Sequence, residues 1–288
     1  MTAGESGTYY EFGSAIARHA TEHAGITVTA LISNGSQANV IDLADGVAEL
    51  AFCQSDVMAY AYEGTNLFNG QPIDVFSTVA ALYDEQVQIV TCNPEVKAVS
   101  DLKGKTVSIG AVGSGVYFNA LDVLDVCGVK EEDITARYLG FGDSASALKE
   151  GIIDAAFIVA GAPIKAIADL ASSSQISLVS LDEEQVEKLL RISPYYNKAV
   201  VKAGTYAGVD KDVVTVAVSA AILAADSVSD ADVYALVSDI FENAPSLVSS
   251  NAKYGELSID KGASIVSVPY HPGAARYFEE KGKKVAVR

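Results

Sequence analysis

Three residues in the second hundred of the chain, Gly113-Ser114-Gly115, have the types and order that hold a small anion. They follow a short β-branched run, Thr106-Val107-Ser108-Ile109, and precede an apolar periodic stretch with Leu121, Leu124 and Val126. Strand, glycine turn and helix start is the order this predicts. The first helical turn leaves backbone N–H groups unpaired and carries partial positive charge, which suits a carboxylate. Gly113 and Gly115 would let a ligand approach the backbone, and Ser114 would cap the helix or donate its hydroxyl. A nucleotide is disfavoured. Neither a phosphate-loop pattern nor a full Gly-x-Gly-x-x-Gly is present, because Phe118 stands where the last glycine would be.

Other small and hydroxyl residues fall at similar junctions: Gly7-Thr8, Gly35-Ser36 and Gln54-Ser55. Ligands bind outside the carboxyl ends of strands in open α/β sheets, so these junctions are candidates to converge. Catalysis finds little support. Ser36, Ser55 or Ser114 would need a base, and His19, His23 and His271 do not neighbour them in sequence. Val112 and Val116 rule out a Gly-x-Ser-x-Gly elbow at Ser114. The three cysteines, Cys53, Cys92 and Cys127, form no Cys-x-x-Cys or Cys/His cluster, so neither metal nor cofactor is expected. Buried thiols are the simplest reading; a Cys53–Cys92 bridge stays open.

The elements that would position these residues alternate along all 288 residues. Helical spacing follows Phe12, and Ile26 to Ile32 alternates like a strand. Ser36 is expected to cap a helix ending near Gly46, and Ala48 to Cys53 reads as a buried strand. Ile73–Tyr83, Val87–Cys92, Ala136–Gly140, Ile153–Val159, Ile176–Leu181 and Val213–Ile222 read as further strands, with helices between the later ones. Asp182 should cap a helix, and helices should cover Ser229–Val248, Ile259–Ile265 and Pro272–Lys281. Repeated βα units imply an α/β architecture with parallel sheet. Extended crossings at Gln86–Cys92 and Lys198–Gly204 would divide the chain into a discontinuous lobe, 1–88 plus 202–288, and an inserted lobe, 89–201.

Half of the residues are hydrophobic, so a sizeable core is expected. The formal charge of −17 argues against nucleic acid or an anionic membrane as partner. Val213–Ala225, the longest nearly apolar run, is too short to span a bilayer. The opening residues are unusual, because an α/β lobe usually begins with a strand; a processed or trimmed N-terminus is the expectation.

Taken in order, several stretches resemble the TAXI family (TRAP-associated extracytoplasmic immunogenic proteins). They include Gly7-Thr8-Tyr9-Tyr10, Asn34-Gly35-Ser36-Gln37-Ala38-Asn39, Gln54-Ser55-Asp56, Ala81-Leu82-Tyr83, Gly113-Ser114-Gly115, Ala160-Gly161, Gly204-Thr205-Tyr206 and His271-Pro272-Gly273. The resemblance implies a two-lobed fold of the type II periplasmic-binding-protein kind with a ligand cleft. It also implies a monomeric extracytoplasmic receptor, without cofactor, that delivers a small acidic solute such as glutamate, glutamine or 2-oxoglutarate to a fused TRAP-type permease. A sensory ligand-binding domain is the alternative. Carried over by position, the ligand contacts would be Thr8, Tyr9, Ser36, Asn39, Gln54, Ser55 and Tyr83 in one lobe. Gly113, Ser114, Gly115, Ala160 and Gly161 would supply the other. Cys53 and Val116-Tyr117 depart from the family pattern, and Tyr117 is expected to narrow the pocket.

Overall fold

The computed structural model describes residues 1–288. The chain separates into two compact units, Met1–Tyr83 with Ser219–Arg288, and Asp84–Val218.

In the first unit, α1 (Thr8–His23) buries Phe12, Ile16 and Ala20 on one stripe, the helical period noted in the sequence. Then come α2 (Ser36–Ala44), β1 (Leu50–Gln54), α3 (Ser55–Glu63) and the start of β2 (Phe76–Thr91). β1 pairs antiparallel with the second half of β8 (Val213–Ala225), from Leu50↔Ala224 to Gln54↔Ala220. The chain closes with α8 (Asp230–Leu247), α9 (Ile259–Gly262) and α10 (Pro272–Glu280). Ser229 caps α8 by accepting the Asp232 N–H (3.1 Å), and His271 caps α10 with Pro272 in its first turn. The core joins these helices to the sheet through Phe12, Tyr83, Ile240, Tyr270 and Phe278.

In the second unit, β3 (Thr106–Ser108) is followed by α4 (Val116–Val126), β4 (Thr135–Arg137) and α5 (Phe141–Lys149). Next are β5 (Ala155–Ala160), α6 (Lys165–Ser173), β6 (Ser177–Leu178), α7 (Glu183–Ile192) and β7 (Asn197–Val201). Asp182 and Gln185 form a reciprocal capping box on α7, at 2.8 and 2.9 Å. β3 lies parallel to both β4 and β5, whereas β5 pairs antiparallel with the second half of β2 and β7 antiparallel with the first half of β8. Two apolar clusters fill the unit, one around Val107, Phe157 and Leu189, the other around Ile158, Ile167 and Leu170.

Four readings change. The sheet is mixed, because β2 runs antiparallel to β5 of the parallel β3–β4–β5 block and β8 antiparallel to β1 and β7. The stretches 73–83 and 87–92 are one 16-residue strand, β2; the polar Asp84-Glu85-Gln86 that suggests a break lies inside it, with Glu85 buried. β7 is a hairpin partner within the second unit, and β8 carries the chain back. Residues 26–32 keep alternating burial but join no ladder. None of the three cysteines is in a disulfide. No helix is long and apolar enough to cross a membrane.

Candidate functional site

The second unit gathers its candidates at the carboxyl ends of its parallel strands. β3 ends at Ser108, and the chain turns through Gly110 (φ +93°) and Gly113 (φ +83°), both in left-handed space that glycine alone adopts without strain. A Cβ on Gly110 would lie 2.5 Å from Val116 Cβ and 2.7 Å from the Ser114 hydroxyl. Gly110 therefore lets the loop fold back on the start of α4. Gly115 is the N-cap residue, and no side chain caps the helix. Ser114, expected to cap, is 8% exposed and its hydroxyl has no hydrogen-bond partner. A buried hydroxyl without a partner forfeits hydration with no return, which marks a place kept for something else. Ser108 and Ser144 share a buried hydroxyl–hydroxyl bond of 2.8 Å, which ties β3 to the first turn of α5.

Ala160 ends β5, and Gly161 begins the loop to α6. Side chains that the sequence reading passed over hold this loop. Gln86 accepts the Ala162 N–H (3.0 Å), and Gln88 Nε2 donates to the Ala160 carbonyl (3.4 Å). Tyr206 donates to Gln88 (2.7 Å) and accepts the Ile164 N–H (3.1 Å). Burial pushes the Tyr206 phenol up to about 12, so it stays a neutral donor. The signal was present: Gln86 and Gln88 are polar at period two, alternating with the apolar Val87 and Ile89. Tyr117 donates to Glu131 (3.0 Å) and packs near Tyr138, so its hydroxyl is already engaged. This weakens the expectation that it narrows a pocket.

In the first unit the candidates are joined to one another. Ser36 opens α2 but caps nothing; its hydroxyl accepts the Gln54 N–H (3.1 Å), fastening the start of α2 to the end of β1. Ser55 opens α3 and accepts the Ser219 N–H (3.1 Å). Asn39 is buried and donates to the carbonyls of Thr2 and Phe52, each at 2.7 Å, leaving Oδ1 without a partner. Tyr9 packs on Phe52 at 5.0 Å between ring centroids, and Thr8 is buried beside it at the start of α1. Gln54 reaches Asp56 (3.4 Å), which also accepts the Val57 N–H (2.9 Å). Tyr83 is fully buried against Phe12, 5.1 Å away.

No basic side chain belongs to either set. Arg18 and Arg137 are exposed, and Arg276 lies over the Tyr234 ring at 3.8 Å. His19 is bonded to Asp239 (2.9 Å), and His271 to the Val228 carbonyl (3.0 Å) and the Gly273 N–H (3.2 Å). No group of three or more His, Cys, Asp or Glu residues could hold a metal ion.

The model of the NMT1-like family matches residues 1–282. The chain belongs to the NMT1-like family. Its fold is that of periplasmic solute-binding proteins. MatC from Rhodopseudomonas palustris with bound malate superposes with a TM-score of 0.60 at 14% identity, over 97% of this chain and 93% of that one. The alkanesulfonate-binding protein SsuA from Xanthomonas axonopodis pv. citri, bound to MOPS, gives 0.53 at 16% identity, over 93% and 80%. The periplasmic binding protein BugD gives 0.58 at 11% identity, over 88% and 84%. At such identities the likeness of this NMT1-like chain to these proteins is one of fold.

Proposed function

We propose that this NMT1-like protein is an extracytoplasmic solute receptor that captures a small acid and hands it to a membrane transporter. The observation that carries this reading is the unpartnered, buried Ser114 hydroxyl at the uncapped start of α4. A carboxylate or sulfonate oxygen supplies the missing acceptor, and the first N–H groups of α4 add further donors. With a net charge of −17 and no arginine in the set, neutral donors do the holding. The other end of the solute is assigned to Thr8, Tyr9, Ser36, Asn39, Gln54, Ser55 and Tyr83, and Gly113, Gly115, Ala160 and Gly161 complete the anion side. A solute that contacts both sets favours the conformation in which the two act together, so capture and closure are one equilibrium.

Within the family, the order of motifs from Gly7-Thr8-Tyr9 to His271-Pro272-Gly273 supports the TAXI subgroup, and with it a TRAP-type permease as partner. Two structural relatives hold acids, MatC malate and SsuA MOPS, which supports the ligand class. A hydrolytic role has less behind it, since Ser36 and Ser55 accept backbone N–H groups and the histidines are bonded elsewhere.

A thermal-shift screen with glutamate, glutamine, 2-oxoglutarate, malate and an alkanesulfonate tests the reading. A solute at about a hundred times its Kd stabilises by roughly 2.7 kcal/mol, so at least one acid should raise the midpoint by several degrees. A shift with neutral sugars and none with any acid would refute it.

A further inference from the structure

The last turns of α1 carry two histidines that the solute reading does not use. His19 and His23 are four residues apart, so they share one helix face, and their ring centroids lie 4.4 Å apart. His19 turns Nδ1 to both carboxylate oxygens of Asp239 on α8, at 2.9 and 3.0 Å. Asn243 donates to the same carboxylate at 3.1 Å, and Asp239 is buried. The His23 ring makes no hydrogen bond; its side chain is 58% exposed and so open to a ligand, with Glu22 3.7 Å from Nε2.

A plain bond between two helices needs only His19 and Asp239; the geometry here offers more. A carboxylate accepts, so the hydrogen sits on Nδ1, and the neutral ring keeps its lone pair on Nε2. Metal-ligating histidines are held in this way: one ring nitrogen donates to a carboxylate, which fixes the tautomer and makes the other nitrogen a stronger ligand. All the hydrogen bonds of the His19 ring run through Nδ1, and the His23 ring lies beside it. With His19 neutral, Asp239 receives only an imidazole N–H and an amide N–H. A cation on the far nitrogen of His19 would supply the balancing charge that a buried carboxylate needs.

We propose that His19 and His23 form a site for a divalent transition-metal ion, zinc or nickel, with Asp239 as the carboxylate that orients His19. Two histidines at this spacing on one helix face are a recurrent pair of zinc ligands. Imidazole selects such ions over magnesium and calcium, which take oxygen ligands. No third His, Cys, Asp or Glu joins the pair, so water completes the coordination. The ion therefore exchanges, unlike a structural zinc closed in by four protein ligands. The net charge of −17, and Glu22 beside His23, draw cations to this face. The cysteines, which carry the expectation of no metal, take no part. Bound there, the ion would clip the end of α1 and, through His19 and Asp239, fasten it to α8. The site shares no residue with the solute reading, and either can fail alone.

The test is calorimetric titration of the full chain with zinc chloride and with nickel chloride, at neutral pH in a buffer that does not chelate. A single strong site is expected. His23→Ala should weaken it at least about a hundredfold, because the second nitrogen binds within the same molecule. Asp239→Asn keeps an acceptor for Nδ1 without the charge, and should weaken it by roughly ten- to a hundredfold. His23→Ala leaves the bond to Asp239 in place, so its metal-free unfolding midpoint should match that of the parent. Zinc should then raise the parent's midpoint by several degrees and leave the variant's unmoved, and magnesium should move neither. If Asp239→Asn does not fold, His23→Ala decides alone. Equal zinc and nickel affinities for the parent and His23→Ala would overturn the proposal. Loss of binding on alkylating the cysteines of the parent would overturn it too, by giving the ion to a thiol.

Discussion

The hydroxyls of the two units look alike in sequence and behave differently in the fold. Ser36 and Ser55 in the first unit, and Ser114 in the second, each stand at or just before a helix start. Ser36 and Ser55 accept backbone N–H groups, and Asn39 nearby spans two carbonyls. Ser114 has nothing. The polar residues of the first unit hold secondary structure together, so their loss should appear first as instability. The Ser114 hydroxyl contributes no bond to the fold, so its loss should appear first as weakened binding. Residue type at a strand end does not separate these roles; the count of satisfied partners does.

Substitutions can break or sharpen this contrast. The largest effect is expected at Gly110. Gly110→Ala forces a left-handed backbone on a residue with a Cβ and drives that atom into Val116. Strain and overpacking together should cost about 4 kcal/mol, read by chemical denaturation, and solute binding should vanish with the loop. Next is Asn39→Ala, which strands the buried Phe52 carbonyl and leaves that of Thr2 with the Ser33 hydroxyl alone (3.1 Å). A loss of about 2 kcal/mol is expected, with the unfolding midpoint falling by roughly 4–8 °C. A fall in affinity without a fall in stability would show that Asn39 is a ligand contact and nothing more. Ser36→Ala removes one acceptor and should cost about 1 kcal/mol in the same measurement.

The smallest effect is one of pH. Burial raises the Asp122 carboxyl above its ordinary value, outweighing the bond from Tyr196. A carboxyl with a raised native pKa binds its proton more tightly in the folded state, so stability is lost as pH rises from the unfolded value through the native one. Asp122→Asn should therefore be modestly more stable than the parent at pH 7, with the advantage shrinking below about pH 4. An advantage that grows on acidification would contradict this sign.

Much of the fold was legible because periodicity and caps are local. The helix after Asp182 with its Gln185, the helix after Ser229 and the start at Pro272 all follow from a few adjacent residues. What was not legible depends on partners distant in sequence. Asp84-Glu85-Gln86 reads as a break, yet β2 runs through it, because Gln86 and Gln88 are met by a loop some seventy-five residues later. Residues 26–32 have the pattern of a strand but not the neighbour a strand needs. The Gly-Ser-Gly turn and its helix were visible; the failure of Ser114 to cap was not, since it follows from Gly110 folding the loop onto Val116.

Calorimetry on the Ser114→Ala variant, with whichever acid binds the parent, tests the central claim most directly. A hydrogen bond to a charged group contributes about 1.5–3 kcal/mol, so affinity should fall by roughly ten- to a hundredfold. The ligand-free unfolding midpoint should stay the same or rise slightly, because a buried unmet hydroxyl has been removed. An affinity within about twofold of the parent would contradict the account, whatever the stability.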